Sequence, residues 1–352
     1  MMYNSAIVGC GRIAGKFEDL LATQKPCTHA GAYSFNESVS LIAACDPSQS
    51  ALAEFCDRWE VEGVYNDPKE MFEKEDIHIL SICTPVDSHY DLVMLALKHC
   101  SSLKAIWCEK PISNSLSTSY KMIKECKKKG VKLAVNYWRR WDDLHIDITD
   151  RIKSGAIGIP YVLDCQSHVG LMNCGTHLID LSIMYSGTTP TAVNGSVIDD
   201  GSNDPGCTAY LEFENNMSAY VDCAWKENPQ LGINARGDKA TIFAMTKKVL
   251  LEGYRLHGDK YINETIRGSQ GISPMAKAIE NILATINDNE ELMCSGEDAV
   301  KSLEVAVGIY MSHETGKKVS LPIKNKNYKN RKFQCRITSM TKDGKVPEEW
   351  KK

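Results

Sequence analysis

Lys110 lies in Cys108-Glu109-Lys110-Pro111, directly after an apolar run, where a charged pair stopped by proline is unusual as decoration. Its ammonium can hold an alkoxide or hydroxyl as negative charge develops. The plainer reading is a surface ion pair between Glu109 and Lys110. A zinc site is not expected, because the fourteen cysteines are scattered singly with no C-x-x-C pair.

The N-terminus offers a place for a dinucleotide. Ala6-Ile7-Val8 runs into Gly9-Cys10-Gly11-Arg12-Ile13-Ala14, a short apolar strand followed by G-x-G-x-x-A. In that pattern the first glycine makes the tight turn and the second lets backbone approach a pyrophosphate. A small third residue keeps the following helix close to the sheet. Asp46 ends the second apolar run and can accept from ribose hydroxyls while repelling a 2′-phosphate, so NAD is favoured over NADP. It lies farther on than the usual interval of about 20 residues, and the excess is assigned to an insertion at Thr23–Tyr33. The alternative for Asp46 is a cap or turn residue before Pro47.

Thr84 and Pro85 end another apolar run, and His89 follows at the start of a helical segment. Open α/β sheets bind ligands at strand carboxyl ends, so Thr84, Pro85 and His89 are expected along the route toward the nicotinamide, and Lys110 in the cleft.

The elements that must position these groups follow from periodicity. Apolar runs at Asn4–Val8, Ser40–Cys45, Ile77–Cys83, Ala105–Cys108 and Lys132–Val135 alternate with helical spacing, as in a doubly wound parallel sheet. After about Asn136 the texture changes. Helices are predicted at Trp141–Lys153, Cys174–Tyr185, Pro274–Ile286 and Glu297–Ser312. Several turn-separated β segments between Thr191 and Leu251 predict a mainly antiparallel sheet. At 352 residues two domains are expected. The boundaries are placed at 1–136 for dinucleotide binding, 137–323 for substrate binding and assembly, and 324–352 for a basic extension.

Taken together, Gly9-Cys10-Gly11-Arg12-Ile13-Ala14, Thr84-Pro85-x-x-x-His89 and Glu109-Lys110-Pro111 resemble the glucose–fructose oxidoreductase/inositol dehydrogenase (Gfo/Idh/MocA) family. Asn136-Tyr137-Trp138-Arg139-Arg140, Gly175-Thr176-His177-Leu178-Ile179-Asp180 and Ser295-Gly296-Glu297-Asp298-Ala299 continue the resemblance, over about residues 4–323. It implies an α/β fold: a Rossmann domain, then an α+β domain whose large open sheet often forms the oligomer interface. It also implies NAD-dependent chemistry on a secondary alcohol of a sugar, cyclitol or sugar nucleotide, in a homodimer or homotetramer.

By the same resemblance Lys110 and His177 are the catalytic pair for exchange between a secondary alcohol and a ketone, with Glu109 and Asn136 on the cofactor side. An imidazole can take a hydroxyl proton near neutral pH, and an ammonium can hold the oxyanion that remains, so no metal is needed. The plainer reading of His177 is a satisfied core histidine. The family commonly has Asp four residues before the histidine, where this chain has Asn173. An amide can orient a hydroxyl or the imidazole, but it supplies no negative charge. Arg139 and Arg140 could pair with an anionic substrate or with the helix beginning at Asp142. Asp164, Gln166 and His168 share one strand face, as pocket lining or as an ordinary polar surface.

A net charge of −4 gives no electrostatic reason to expect nucleic acid or an anionic membrane as partner. No apolar stretch reaches the roughly 18 residues of a membrane span. The N-terminus shows no basic leader or cleavage pattern, so a cytoplasmic protein with reduced thiols is expected. Asn173 motivates an alternative function, a catalytically silent regulator that keeps the fold and binds cofactor or sugar.

Overall fold

In a computed structural model, the residues described are 2–21, 23–167, 170–198, 201–202, 204–224, 231–245, 248–254, 261–266, 271–287 and 290–328. Six short apolar segments make a parallel sheet: β1 (Tyr3–Val8), β2 (Val39–Cys45), β3 (Gly63–Tyr65), β4 (Ile79–Ile82), β5 (Ala105–Cys108) and β6 (Lys132–Val135). Their order is β3-β2-β1-β4-β5-β6, that of a dinucleotide-binding sheet whose strand order reverses between β1 and β4. Nearly every residue of β4 to β6 is buried, because helices cover both faces of such a sheet. The intervening helices are α1 (Phe17–Leu20), α2 (His29–Phe35), α3 (Gln49–Trp59), α4 (Pro68–Lys74), α5 (His89–His99) and α6 (Leu116–Lys129).

Local chemistry sets their limits. Thr28, Ser48, Asp67 and Ser115 cap α2, α3, α4 and α6 by accepting a backbone N–H, and Gly130 ends α6 at φ 70°. β3 has no counterpart in the sequence reading. It is three residues long, and its central Val64 is 54% exposed, so no apolar run marks it.

The second unit begins with α7 (Asp143–Lys153), two residues later than the periodicity suggests. Trp138–Trp141 form a 3-10 turn, and the Asp142 carboxylate caps the helix by accepting from Leu144 N–H. A nine-stranded sheet follows, with α8 (Thr176–Ser186) on one face. Its strands are β7 (Pro160–Gln166), β8 (Pro190–Ile198), β9 (Gly206–Phe213), β10 (Ser218–Asp222), β11 (Gly232–Gly237), β12 (Ala240–Met245), β13 (Lys248–Tyr254), β14 (Tyr261–Ile266) and β15 (Val319–Ser320).

The order is β14-β13-β12-β11-β7-β10-β9-β8-β15, and every adjacent pair is antiparallel except β10 with β7. Leu163, Cys165, Ala219, Val221, Ile233 and Ala235 are buried on one face. The other face carries Asp164, Tyr210, Tyr220 and Phe243, by strict alternation.

The two compact units do not divide the sequence at a single point. The described residues of Met1–Trp141 and Ile272–Ala299 make one, and those of Asp142–Gly271 and Val300–Cys335 make the other. Helix α9 (Pro274–Ile286) thus belongs with the parallel sheet. Trp141 donates its indole N–H to Asn281 of α9 at 3.2 Å, and Tyr3 of β1 donates to Asn287 at 2.8 Å. Helix α10 (Gly296–Thr315) starts at a reciprocal cap. Ser295 Oγ accepts from Asp298 N–H, and the Asp298 carboxylate accepts from Ser295 N–H.

Candidate active site

Strands β1, β4 and β5 are neighbours, so their carboxyl ends lie side by side, and each ends in a segment singled out above. At the end of β1, Gly9 has φ +91°. A Cβ there would stand 2.9 Å from Cys83 C, Thr84 N and Thr84 Cγ2, so the turn after β1 is pressed against the end of β4. Gly11 is the opposite case, with nothing within 4 Å of the position its Cβ would take. The first glycine is required by crowding and the second keeps a space open. The chain then turns through a π-helical segment, Arg12–Lys16, into α1, with Ala14 fully buried.

Asp46 reaches back to this loop. One carboxylate oxygen accepts from Cys10 N–H and the other from Ser48 N–H, both at 2.8 Å. The residue is thus a turn residue before α3 and also a tether for the glycine loop. Each oxygen keeps a second lone pair for a ribose hydroxyl. The Cys10 thiol is pushed far up by burial and then by the Asp46 carboxylate, which leaves it protonated and unreactive.

Thr84 and Pro85 follow β4, where Ser88 Oγ donates to Thr84 Oγ1 at 2.7 Å. His89, fully buried, ties this end to the next. One ring nitrogen lies 2.9 Å from Thr84 O and the other 3.1 Å from Pro111 O. Burial lowers its pKa, against the two carbonyls and the Glu109 charge, which favour the protonated ring.

After β5 comes Glu109, whose carboxylate is surrounded by donors. His29 Nε2 lies 3.1 Å from Oε1, Asn136 Nδ2 donates to Oε1 at 2.6 Å, and Lys110 N–H donates to Oε2 at 3.2 Å. Burial alone would raise its pKa. The hydrogen bond from His29, that from the Asn136 amide and the Lys110 charge outweigh burial and hold the carboxyl below its usual range. Lys110 itself is half-buried.

Asn136, at the end of β6, is 1% exposed, and its Oδ1 meets no donor among the described residues. An amide acceptor left so is costly unless a bound group supplies the donor. The open space at Gly11, the spare acceptor capacity of Asp46 and the acceptor at Asn136 all fit a dinucleotide laid along this sheet edge.

Arg139 and Arg140 part company. The Arg139 guanidinium carbon lies 4.4 Å over the Trp138 ring. Arg140 is buried, donates to Met293 O at 3.2 Å and lies 3.9 Å from Asp298.

In the second unit, Asn173 sits in a buried π-helical turn, Leu171–Gly175, that leads into α8, with His177 as the second residue of that helix. The chain is already helical at Asn173, but wound more widely than an α-helix. Asp204 secures its start, accepting from Met172 N–H at 2.8 Å and Asn173 N–H at 2.9 Å, one through each oxygen. His177 is 6% exposed. Asp180 accepts from Ser302 of α10 at 3.1 Å, which fixes α8 in place. Gln166 lies on the face of Asp164 and Tyr220, opposite the buried face, and Asp164 pairs with Arg236 at 3.5 Å. His168 lies outside the described residues.

Two of these groups escaped the sequence reading. His29 left only a faint mark, a lone histidine after the capping Thr28, and Asp204 read as one more turn residue before Pro205.

Comparison with known proteins agrees with this geometry. Residues 3–137 match the family model GFO_IDH_MocA, described as an oxidoreductase family with an NAD-binding Rossmann fold. Residues 166–321 match the model of the same family's C-terminal alpha/beta domain. The chain is 23% identical to a D-apiose dehydrogenase of Paraburkholderia graminis, over 91% of this chain and 90% of that protein. It is 29% identical to a myo-inositol 2-dehydrogenase of Thermotoga maritima, over 46% of this chain and 44% of the relative.

Its fold is that of an oxidoreductase from Agrobacterium radiobacter, solved in complex with NAD+, L-tartaric acid and magnesium. That comparison has a TM-score of 0.77 at 19% identity and covers 91% of this chain and 98% of the other. The chain therefore belongs to the Gfo/Idh/MocA oxidoreductase family, with that family's NAD-binding Rossmann fold and C-terminal α/β domain.

Proposed function

We propose that this protein is an NAD-dependent dehydrogenase that interconverts a secondary alcohol and a ketone on a sugar or cyclitol. The observation that carries the reading is the alignment of Gly9–Gly11, Thr84–Pro85 and Glu109–Lys110 along one edge of the parallel sheet. Bound there, NAD supplies a hydride acceptor. The glycine loop, Asp46, Thr84, Pro85 and Asn136 hold and orient it. Lys110 offers its ammonium to the alcohol oxygen as negative charge develops, and His177 takes the hydroxyl proton. In the reverse direction His177 returns the proton to the carbonyl oxygen. Asn173, at the start of the helix that carries His177, orients a substrate hydroxyl. Arg140 is committed to Met293 and Asp298, which favours its reading as a structural residue over a substrate contact.

Dehydrogenases of D-apiose and myo-inositol among the relatives support a polyol substrate. The test is NADH absorbance with a panel of aldoses, inositols, glucosides and nucleotide sugars, for wild type beside Lys110→Ala and His177→Ala. Turnover by wild type that falls at least a hundredfold in each variant is expected. Tight NAD binding with no turnover of any of them would leave the regulatory reading in its place.

The same family points to a homo-oligomer built on the open face of the nine-stranded sheet. Ile198 (44% exposed), Tyr220 (55%) and Phe243 (36%) share that face with Tyr210, whose ring lies 5.1 Å from that of Tyr220. Tyr220→Asp should yield a smaller species in sedimentation. An unchanged sedimentation coefficient would exclude this face as the interface.

A further inference from the structure

We propose that His29 is a positioning residue that fixes the Glu109–Lys110 segment through a one-directional chain of buried hydrogen bonds. The inference rests on the reading of Lys110 as the group that meets the alcohol oxygen.

Helix α2 delivers His29 as its first residue, and the ring is fully buried with its centroid 4.0 Å from that of Trp107. Its Nδ1 lies 2.8 Å from Ser81 Oγ, its Nε2 lies 3.1 Å from Glu109 Oε1, and Ser81 Oγ lies 2.5 Å from Tyr33 OH. An ionised carboxylate only accepts, so the Nε2 proton must be directed at Glu109. In a neutral ring Nδ1 then accepts the Ser81 hydroxyl proton, and Ser81 accepts that of Tyr33. Every donor faces the same way, and the tautomer is fixed. The far end is equally constrained, because the Glu109 carboxylate also accepts from Asn136 Nδ2 and Lys110 N–H.

Ser, His and a carboxylate in line have the composition of a hydrolytic triad, but Ser81 is fully buried within β4 and its hydroxyl is engaged by Tyr33. The chain does no nucleophilic work. It holds a carboxylate, and the carboxylate holds the peptide that carries Lys110.

The test compares His29→Leu, which removes the donor, with His29→Gln, whose amide nitrogen restores one near the Nε2 position. Turnover is probed with D-apiose and myo-inositol. His29→Leu should lower kcat at least tenfold while KM and the Kd for NAD stay within about twofold, and His29→Gln should recover most of the loss. Hydrogen exchange supplies a readout independent of substrate. Amide exchange across residues 108–113 should quicken at least tenfold in His29→Leu, with β1 and β4 unchanged.

A folded His29→Leu protein with wild-type kcat and wild-type exchange at 108–113 would overturn the proposal, as would a His29→Gln protein equally impaired. Should His29→Leu fail to fold, Ser81→Ala removes the donor that fixes the tautomer and must quicken the same exchange, or the proposal fails. If wild type turns over neither probe, the dehydrogenase reading is what suffers, and exchange still decides the role of His29.

Discussion

Alanine at Gly9 and alanine at Gly11 should separate folding from cofactor binding. At Gly9 the backbone sits at φ +91°, where an L residue costs roughly 1–2 kcal/mol. The added methyl would also stand 2.9 Å from the backbone of Cys83 and Thr84, an overpacking that typically costs about 1–3 kcal/mol. Gly9→Ala should therefore lose about 2–5 kcal/mol of unfolding free energy, a large share of the roughly 5–15 kcal/mol typical of a domain.

Gly11 has φ −82° and ψ −158°, which any residue adopts, and its missing methyl would meet nothing within 4 Å. Gly11→Ala should unfold within about 0.5 kcal/mol of wild type. Its methyl would occupy the space through which backbone N–H groups approach a pyrophosphate. Losing one charge-assisted hydrogen bond costs about 1.5–3 kcal/mol, or roughly 10- to 150-fold in NAD affinity. Urea denaturation and calorimetric NAD titration of both variants measure the two effects. Equal destabilisation by the two alanines, or full NAD affinity in Gly11→Ala, would refute the argument.

Other perturbations follow from the same contacts. Asp46→Ala removes the acceptor of Cys10 N–H and the charge that opposes a 2′-phosphate. Titration should show NAD binding weakened at least tenfold and the preference over NADP narrowed. Asp204→Ala leaves two buried N–H groups of the π-helical turn without their carboxylate and should cost about 1–3 kcal/mol in chemical denaturation. Asn173→Asp would bring a second carboxylate to the same turn, so its stability should fall at pH 7 and return in the double variant with Asp204→Asn.

His89 and Glu109 both have folded-state pKa values below their unfolded ones. The unfolded chain therefore binds more protons at each, and stability must fall on acidification. The His89 contribution begins to fade as pH drops through about 6.5, and that of Glu109 as pH drops through about 4.3 toward its lower folded value. Thermal melts from about pH 8 to about pH 3 should show both losses, and His89→Gln should abolish the upper one.

What the sequence made legible was whatever backbone and period alone determine. Five of the six parallel strands were readable because both faces are covered, which writes a continuous apolar run. The helix at Pro274–Ile286 was readable because Ser273 caps it and Pro274 begins it. The glycine loop was readable for the same local reason. His29 was not, since its partners Ser81 and Glu109 lie 52 and 80 residues away and no spacing rule joins them. Arg140 could be narrowed to an ion-pairing role but not to Asp298, which stands beyond strands β7 to β14 in sequence. The return of α9 to the first unit was hidden likewise, since Trp141 meets Asn281 across 140 residues.

The substitution at residue 173 takes on a different meaning beside Asp204. A carboxylate in the first helical turn is favoured because it meets free N–H groups and the positive end of the helix dipole. One carboxylate satisfies that demand, and a second nearby would be repelled by the first. Here the Asp204 carboxylate already accepts from the backbone of residue 173 itself, at 2.9 Å. Asn173 therefore adds hydrogen-bonding capacity without adding like charge. Negative charge still stands at the start of the helix that bears His177, carried by the loop before β9 rather than by the helix. The amide is on this account a redistribution of charge within the turn, and it gives no reason by itself to regard the histidine as idle.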